Sequence, residues 1–228
     1  MTDLAVDDTA PAVAHDEGHR TSLNLSNMKL AMWLFLGSEA LLFGALISTY
    51  LLSKANFIGE LVSGNPRVLD TLPDALAKEF VEAGSVEPIF DIPFTSASSF
   101  ILLMSSLTMV LAHKAVSEGD YKNTRVWLGA TAALGSTFIA GQVYEFTVFF
   151  REGITYDGNL FGSAFYTLTG FHGIHVTGGI LMLVSLLILS FRGKLQKDRA
   201  ETVELVGLYW HFVDIVWVLI FTIVYLIP

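Results

Sequence analysis

Residues able to do chemistry stand inside stretches of sequence that are otherwise apolar. His172 and His175 are three apart in Phe171-His172-Gly173-Ile174-His175-Val176, and Gln142 and Glu145 are three apart in an earlier run. His211 and Asp214 share the same spacing in Tyr209-Trp210-His211-Phe212-Val213-Asp214-Ile215-Val216-Trp217, while Glu39 stands alone. Residues three apart on a helix share one face. Imidazoles and carboxyls in that arrangement can ligate metals or haem, carry protons, or bind neighbouring helices through hydrogen bonds. A bis-histidine haem needs ligands on facing helices at matched depth, which His172 and His175 on a single turn do not provide. No catalytic residue and no metal ligand set is therefore assigned. The expected roles are packing through hydrogen bonds, with neutral histidines satisfied by Glu145, Gln142 or backbone, or proton-linked carboxyls at Glu39, Glu145 and Asp214. There is no cysteine, so disulfides, iron–sulfur clusters and thiolate sites are excluded.

The elements that must position these groups are apolar runs over about 29–52, 94–112, 126–149, 163–191 and 203–227. About 20 residues at ~1.5 Å each cross a ~30 Å hydrocarbon core. The expected fold is all-α, a polytopic membrane protein built as a bundle of five transmembrane helices. Composition agrees, with 53% hydrophobic and 15% charged residues and a mean hydropathy of +0.57. Residues 1–28 are polar, carry five acids and one arginine up to Asn27, lack the pattern of a signal peptide, and are expected to form a disordered tail ahead of a membrane domain over 29–228. His15 and His19 in that tail are expected to be solvated. The 54–93 connection is too polar to span; Pro73-Asp74, with Leu72, Leu76 and Phe80 four apart and Gly84 behind, predicts a short amphipathic surface helix. Ala40, Gly44 and Ser48 in the first span, and Gly129, Ala133 and Ser136 in the third, form small-residue stripes that let another helix approach.

Charge fixes an expected orientation. Assigning alternate loops to alternate sides puts Arg20, Lys29, Lys114, Lys122, Arg125, Arg192, Lys194, Lys197 and Arg199 on one side, against Lys54, Arg67, Lys78 and Arg151 on the other. The positive-inside rule then places the N-terminus in the cytoplasm and the C-terminus outside. Counted from the inner helix ends, Glu39 and Asp214 lie at one depth, with Gln142, Glu145, His172 and His175 in the outer half, which predicts two separate polar layers. The net charge of −9 lies outside the apolar runs, and nothing forms a basic nucleic-acid surface. His113 and Lys114 end the second span, and with Arg192 and Lys194 they suit phospholipid headgroups.

The run Phe171 to Val176 and the run Tyr209 to Trp217, with Trp210 and Trp217 bracketing His211 and Asp214, resemble the paired signatures of cytochrome c oxidase subunit III. Three further segments agree in order: Ser38-Glu39-Ala40, Ala112-His113 followed by Glu118-Gly119-Asp120, and Leu134-Gly135 leading to Gln142 and Glu145. The resemblance covers Lys29 to the C-terminus and is to the shorter, five-span bacterial form. It implies a multi-pass subunit of the plasma membrane in aerobic respiration, without its own redox centre, packed on subunits I and II, which hold haem and copper. It also implies bound phospholipid, support of proton uptake during proton-pumping oxygen reduction, and possible membership of a respiratory supercomplex. Glu39 resembles the family's buried carboxyl, and Gln142, Glu145, His172, His175, His211 and Asp214 its packing signature. Subunit III of a quinol oxidase and the accessory protein of nitric oxide reductase would share these motifs. An independent proton-coupled transporter is the rival of a different class; it would need a substrate cavity and usually broken helices or repeats, and the sequence shows no inverted or tandem repeat.

Overall fold

The computed structural model describes residues 26–86 and 90–227, so residues 1–25 of the expected tail lie outside the described residues, while Ser26, Asn27 and Met28, expected in that tail, instead cap and begin the first helix. Seven helices follow in order: α1 (Asn27–Val62), α2 (Pro66–Leu69), α3 (Asp74–Ala83), α4 (Ile92–Glu118), α5 (Tyr121–Arg151), α6 (Leu160–Phe191) and α7 (Ala200–Phe221). A short 3-10 turn over Lys197–Arg199 leads into α7, and a π-turn over Thr222–Leu226 continues it. α1, α4, α5, α6 and the α7 segment to Leu226 are long and apolar enough to cross a membrane, so the bundle is all-α with five spans among the described residues.

The helices outrun the apolar stretches because polar caps start them early. Ser26, Asp91, Asp120 and Asn159 each accept a hydrogen bond from the backbone N–H three residues on, satisfying donors that would otherwise be stranded at a helix start. Gly119 closes α4 at φ 83°, a left-handed conformation that lets α5 begin two residues later.

α7 is the axis of the bundle. It packs on α4, α6 and α1, and half of its most apolar stretch is buried, against 11% for α1. In lipid the hydrophobic effect does not drive helix association, so packing, small residues and interhelical hydrogen bonds must. Two tryptophans on α7 supply all three. Trp210 donates its indole N–H to Ser105 Oγ at 3.0 Å, and Trp217 donates to Ser99 Oγ at 2.8 Å, pegging α7 to α4 at two levels seven residues apart. The Trp210 ring lies against bare backbone at Gly135 of α5 and Gly179 of α6, where an added Cβ would come within 2.5 Å and 2.7 Å of it.

The two ends of the bundle are tied differently. At one end Lys29 pairs with Glu204 at 2.9 Å, Ser26 bonds Glu201, and Arg125 donates to the Ser190 carbonyl at 2.9 Å while its cation lies 5.3 Å over the Phe191 ring. At the other end Lys54 Nζ donates to the Ile227 carbonyl at 2.5 Å. α3 covers that end by burying Ala77 and Phe80, the latter edge-on to Phe57 of α1.

Candidate functional site: the polar groups within the bundle

Glu39 is paired. Its Oε2 lies 3.0 Å from Nε2 of His175 on α6, and both side chains are 15% exposed. The two-layer arrangement counted from helix ends is corrected here, since Glu39 meets a residue placed in the other layer. The reason is that His175 stands at the middle of α6, which has 32 residues, while α1, with 36, outruns its apolar stretch at both ends, so residue counts from those ends do not share a common plane. His175 Nδ1 lies 2.7 Å from the Phe171 carbonyl, an acceptor only, so Nδ1 carries hydrogen and donates. Whether written as a carboxylic acid donating to Nε2 or as a carboxylate accepting from it, the Glu39–His175 contact therefore holds one proton.

His211 and Asp214 form a second cluster. Their partner was expected on the first or the fourth span; it is Ser106 on α4, the second. Ser106 Oγ lies 2.6 Å from His211 Nδ1 and also hydrogen-bonds the Asp214 carboxyl. A hydroxyl that donates to Asp214 can accept from His211 Nδ1–H, which gives the three groups one consistent direction. Asp214 is 4% exposed, and its Oδ1 has no hydrogen-bond partner among the described residues. His211 borders a cleft of about 210 Å³ between α1, α4 and α7 that is also lined by Lys29, His113 and Glu204. Asp214 is thus one hydroxyl and one imidazole away from that cleft.

Glu145 on α5 is held by Thr95 Oγ1 at 2.7 Å and by the Tyr225 hydroxyl, so it tethers α5 to α4 and to the end of α7. Gln142, one turn earlier, donates from Nε2 to the Thr169 carbonyl of α6 at 2.7 Å. His172 departs from expectation: it is fully buried, yet neither ring nitrogen has a hydrogen-bond partner among the described residues. Its ring stacks on Trp217 at 4.9 Å, with Phe138 and Phe43 edge-on at 5.9 Å and 6.4 Å, and this aromatic enclosure takes the place of the expected carboxyl or amide.

Of the basic residues expected at headgroups, Lys114, Arg192 and Lys194 are exposed at the end of the bundle that holds Lys29, and Lys114 lies 3.9 Å from Glu118. His113 instead turns into the cleft. The sequence reading assigned no role to Thr95, Ser99, Ser105, Ser106, Tyr209 or Tyr225. A signal was present in α4, whose serines and threonine recur along one face, but nothing in one dimension matched them to indoles and carboxyls. Tyr209 adds a further tie by donating to the His175 carbonyl at 3.0 Å.

Chemically the bundle holds protons and hydrogen bonds. Among the described residues no three histidines or acids gather to hold a metal ion. The residues do not fit haem either, because both ring nitrogens of His172 are buried within the bundle, with Trp217 stacked on the ring and Phe138 edge-on to it, which leaves no approach for a macrocycle.

The comparisons with known proteins agree over nearly the whole chain. The sequence profile of the family described as "Cytochrome c oxidase subunit III" matches residues 8–227. Cytochrome c oxidase subunit 3 of Bacillus sp. (strain PS3) is 37% identical over 205 residues, covering 90% of this chain and 88% of that protein. In Bacillus subtilis (strain 168), cytochrome c oxidase subunit 3 is 35% identical, covering 91% of this chain and 89% of its own length, and quinol oxidase subunit 3 is 32% identical, covering 86% and 85%. A profile running from the tail through the final span, on a bundle whose buried groups pair without gathering into a redox centre, means that the chain belongs to the cytochrome c oxidase subunit III family, the non-catalytic third subunit of haem–copper oxidases.

Proposed function

We propose that this chain is the structural and proton-supporting subunit of a bacterial respiratory oxidase, packed on subunits I and II, where haem, copper and oxygen chemistry reside. The observation that carries this reading is the cleft between α1, α4 and α7, from which His211, Ser106 and the buried Asp214 lead inward. Such a chain of donors and acceptors can take a proton from water and hold it at a carboxyl without any metal. The Glu39–His175 contact is a second place where one proton is kept within the bundle. The basic residues Lys114, Arg192 and Lys194 are assigned to phospholipid headgroups, each worth ~1 kcal/mol near an anionic surface. Cytochrome c is proposed as the electron donor, and quinol is the alternative, because relatives of both kinds from one organism match this chain almost equally. Neither donor is read by any group described in this bundle.

A tag on this chain is the direct test. The complex purified through it should show haem bands in the visible spectrum and should contain two larger partner subunits. Recovery of the chain without haem, under conditions that keep other oxidases intact, would refute the reading. Once stripped from that complex, the chain is expected to carry no stoichiometric iron or copper by elemental analysis.

The proposed orientation, N-terminus in the cytoplasm and C-terminus outside, is tested in a background free of native cysteine. Single cysteines at Asn65, beyond α1, and Asn123, in the first turn of α5, should react with an impermeant maleimide from opposite faces of the membrane. Labelling of both from one face would sink the topology.

A further inference from the structure

His113 was expected at a lipid headgroup, yet it lines the cleft between α1, α4 and α7, where its imidazole makes no hydrogen bond or ion pair with any described residue. Its depth follows from the bonds of α7 to α4. These helices run antiparallel, because Ser105 bonds Trp210 and Ser99 bonds Trp217. Counted from the Ser106–His211 contact, His113 stands seven residues on along α4 and Glu204 seven residues back along α7. Seven residues make nearly two turns and roughly 10 Å of rise, so both positions keep the cleft face and shift the same way, toward the end of the bundle that holds Lys29. The cleft thus has a mouth at His113, Glu204 and Lys29, and a floor at His211 and Ser106.

Among the described residues, the ionisable groups lining the cleft are Lys29 of α1, His113 of α4, and Glu204 and His211 of α7. α5 contributes none, and Lys197 and Arg199 of the 3-10 turn packed on α4 stand outside the lining, as do Lys114 and Glu118 of α4 itself. Lys29 and Glu204 are spent on each other at 2.9 Å, which leaves two imidazoles, one at the mouth and one at the floor. The other walls are apolar, Trp33, Met109 and Leu208 among them, so water in the cleft has few side chains with which to exchange a proton. A volume of about 210 Å³ has room for several waters, at roughly 30 Å³ each in the liquid. At the floor, His211 Nδ1 is engaged with Ser106, so Nε2 is the nitrogen free to receive. A proton taken up at Nε2 releases the Nδ1 proton to Ser106 Oγ, which passes its own to the Asp214 carboxylate; the acid is formed and the imidazole is neutral again as its other tautomer.

We propose that His113 loads this route: it takes a proton from water at the end of the bundle and hands it, through water in the cleft, to His211 Nε2. An imidazole is suited to the task because it both accepts and releases a proton near neutral pH, whereas the Lys29 ammonium would have to leave its ion pair to do so. This rests on the reading of the cleft as the proton-supporting site, and it adds the residue through which protons enter.

The test uses the whole complex purified through a tag on this chain, with sustained oxygen reduction followed across pH. Wild-type chain that brings down no haem would remove the oxidase reading and this proposal with it. With haem present, His113→Ala should bring the alkaline limb of the profile to lower pH, so that the rate in alkaline buffer falls severalfold relative to the same complex in mildly acidic buffer. Added imidazole, which fits the space the side chain vacates, should restore the alkaline rate of His113→Ala and leave that of Asp214→Asn slow. A normal profile for His113→Ala beside a slowed Asp214→Asn would overturn the role of His113 while the cleft keeps its own; normal profiles for both would remove the cleft as well. A slowed His113→Ala that imidazole does not restore would mark a loss of packing and overturn the proposal. Should His113→Ala fail to assemble with haem, His113→Gln, which keeps the bulk but cannot relay, decides by the same alkaline shift, and an unshifted profile overturns the proposal.

Discussion

Trp210→Ala is expected to be among the most damaging single changes to this bundle, costing about 3–5 kcal/mol. The indole is 1% exposed, bonds Ser105, and rests on backbone at Gly135 and Gly179. Its removal would leave a cavity walled by three helices, and none of them can close it without moving as a whole. Ser105 would lose its indole partner as well. The same geometry predicts the converse: Gly135→Ala or Gly179→Ala should each cost about 1–3 kcal/mol, because a methyl would be driven into a rigid ring. Thermal loss of the tagged chain from its complex in mild detergent measures both effects. If ring and bare backbone compete for one space, Gly179→Ala combined with Trp210→Ala should cost less than the sum of the two single changes. Strict additivity would show that the indole is not what those glycines accommodate.

Glu39→Gln separates packing from proton supply. The amide has nearly the shape of the acid and can donate to His175 Nε2, so assembly and haem content are expected to match wild type. Glu39→Leu cannot, and it should cost about 1–3 kcal/mol by leaving a half-buried imidazole without its partner. Initial oxygen reduction by the Glu39→Gln complex should remain near wild type, because the main proton path is assigned to the catalytic subunit. Sustained turnover should slow, most clearly at high pH, where proton supply limits. Abolition of initial activity in a fully assembled, haem-replete Glu39→Gln complex would refute the supporting role.

Which parts of this could be read in the sequence follows from the range of the forces involved. Five spans were visible because a membrane crossing is a local property, written in consecutive apolar residues. The burial of Glu39 and Asp214 was visible for the same reason, since lipid is a forbidding place for either carboxyl. Their partners were not visible. His175 lies 136 residues from Glu39, and Ser106 lies 105 from His211, so pairing depends on helix lengths and rotations that no single run records. Counting depth from helix ends put Glu39 and His175 in different layers because α1, at 36 residues, and α6, at 32, both outrun the apolar stretches that were counted. His172 was missed for another reason: its surroundings are aromatic rings on three other spans, and a rule that gives every buried imidazole a hydrogen-bond partner does not foresee them.

The placement of α1 also has a consequence in time. Of the five described spans it is the first to leave the ribosome, yet its principal contacts among them are with α6 and α7, the last two. At ~5–20 residues per second, the 136 residues between Glu39 and His175 take roughly 7–27 s to synthesise. Throughout that interval Glu39 waits in the bilayer without its imidazole, at a cost of ~2.5–3.5 kcal/mol on insertion scales. The strongly apolar residues around it must hold α1 in place unaided, and the bundle closes around its first helix only when the fourth span arrives. A chain stalled before α6 would therefore present a lone intramembrane carboxyl, a feature by which membrane quality control could tell an unfinished subunit from a finished one.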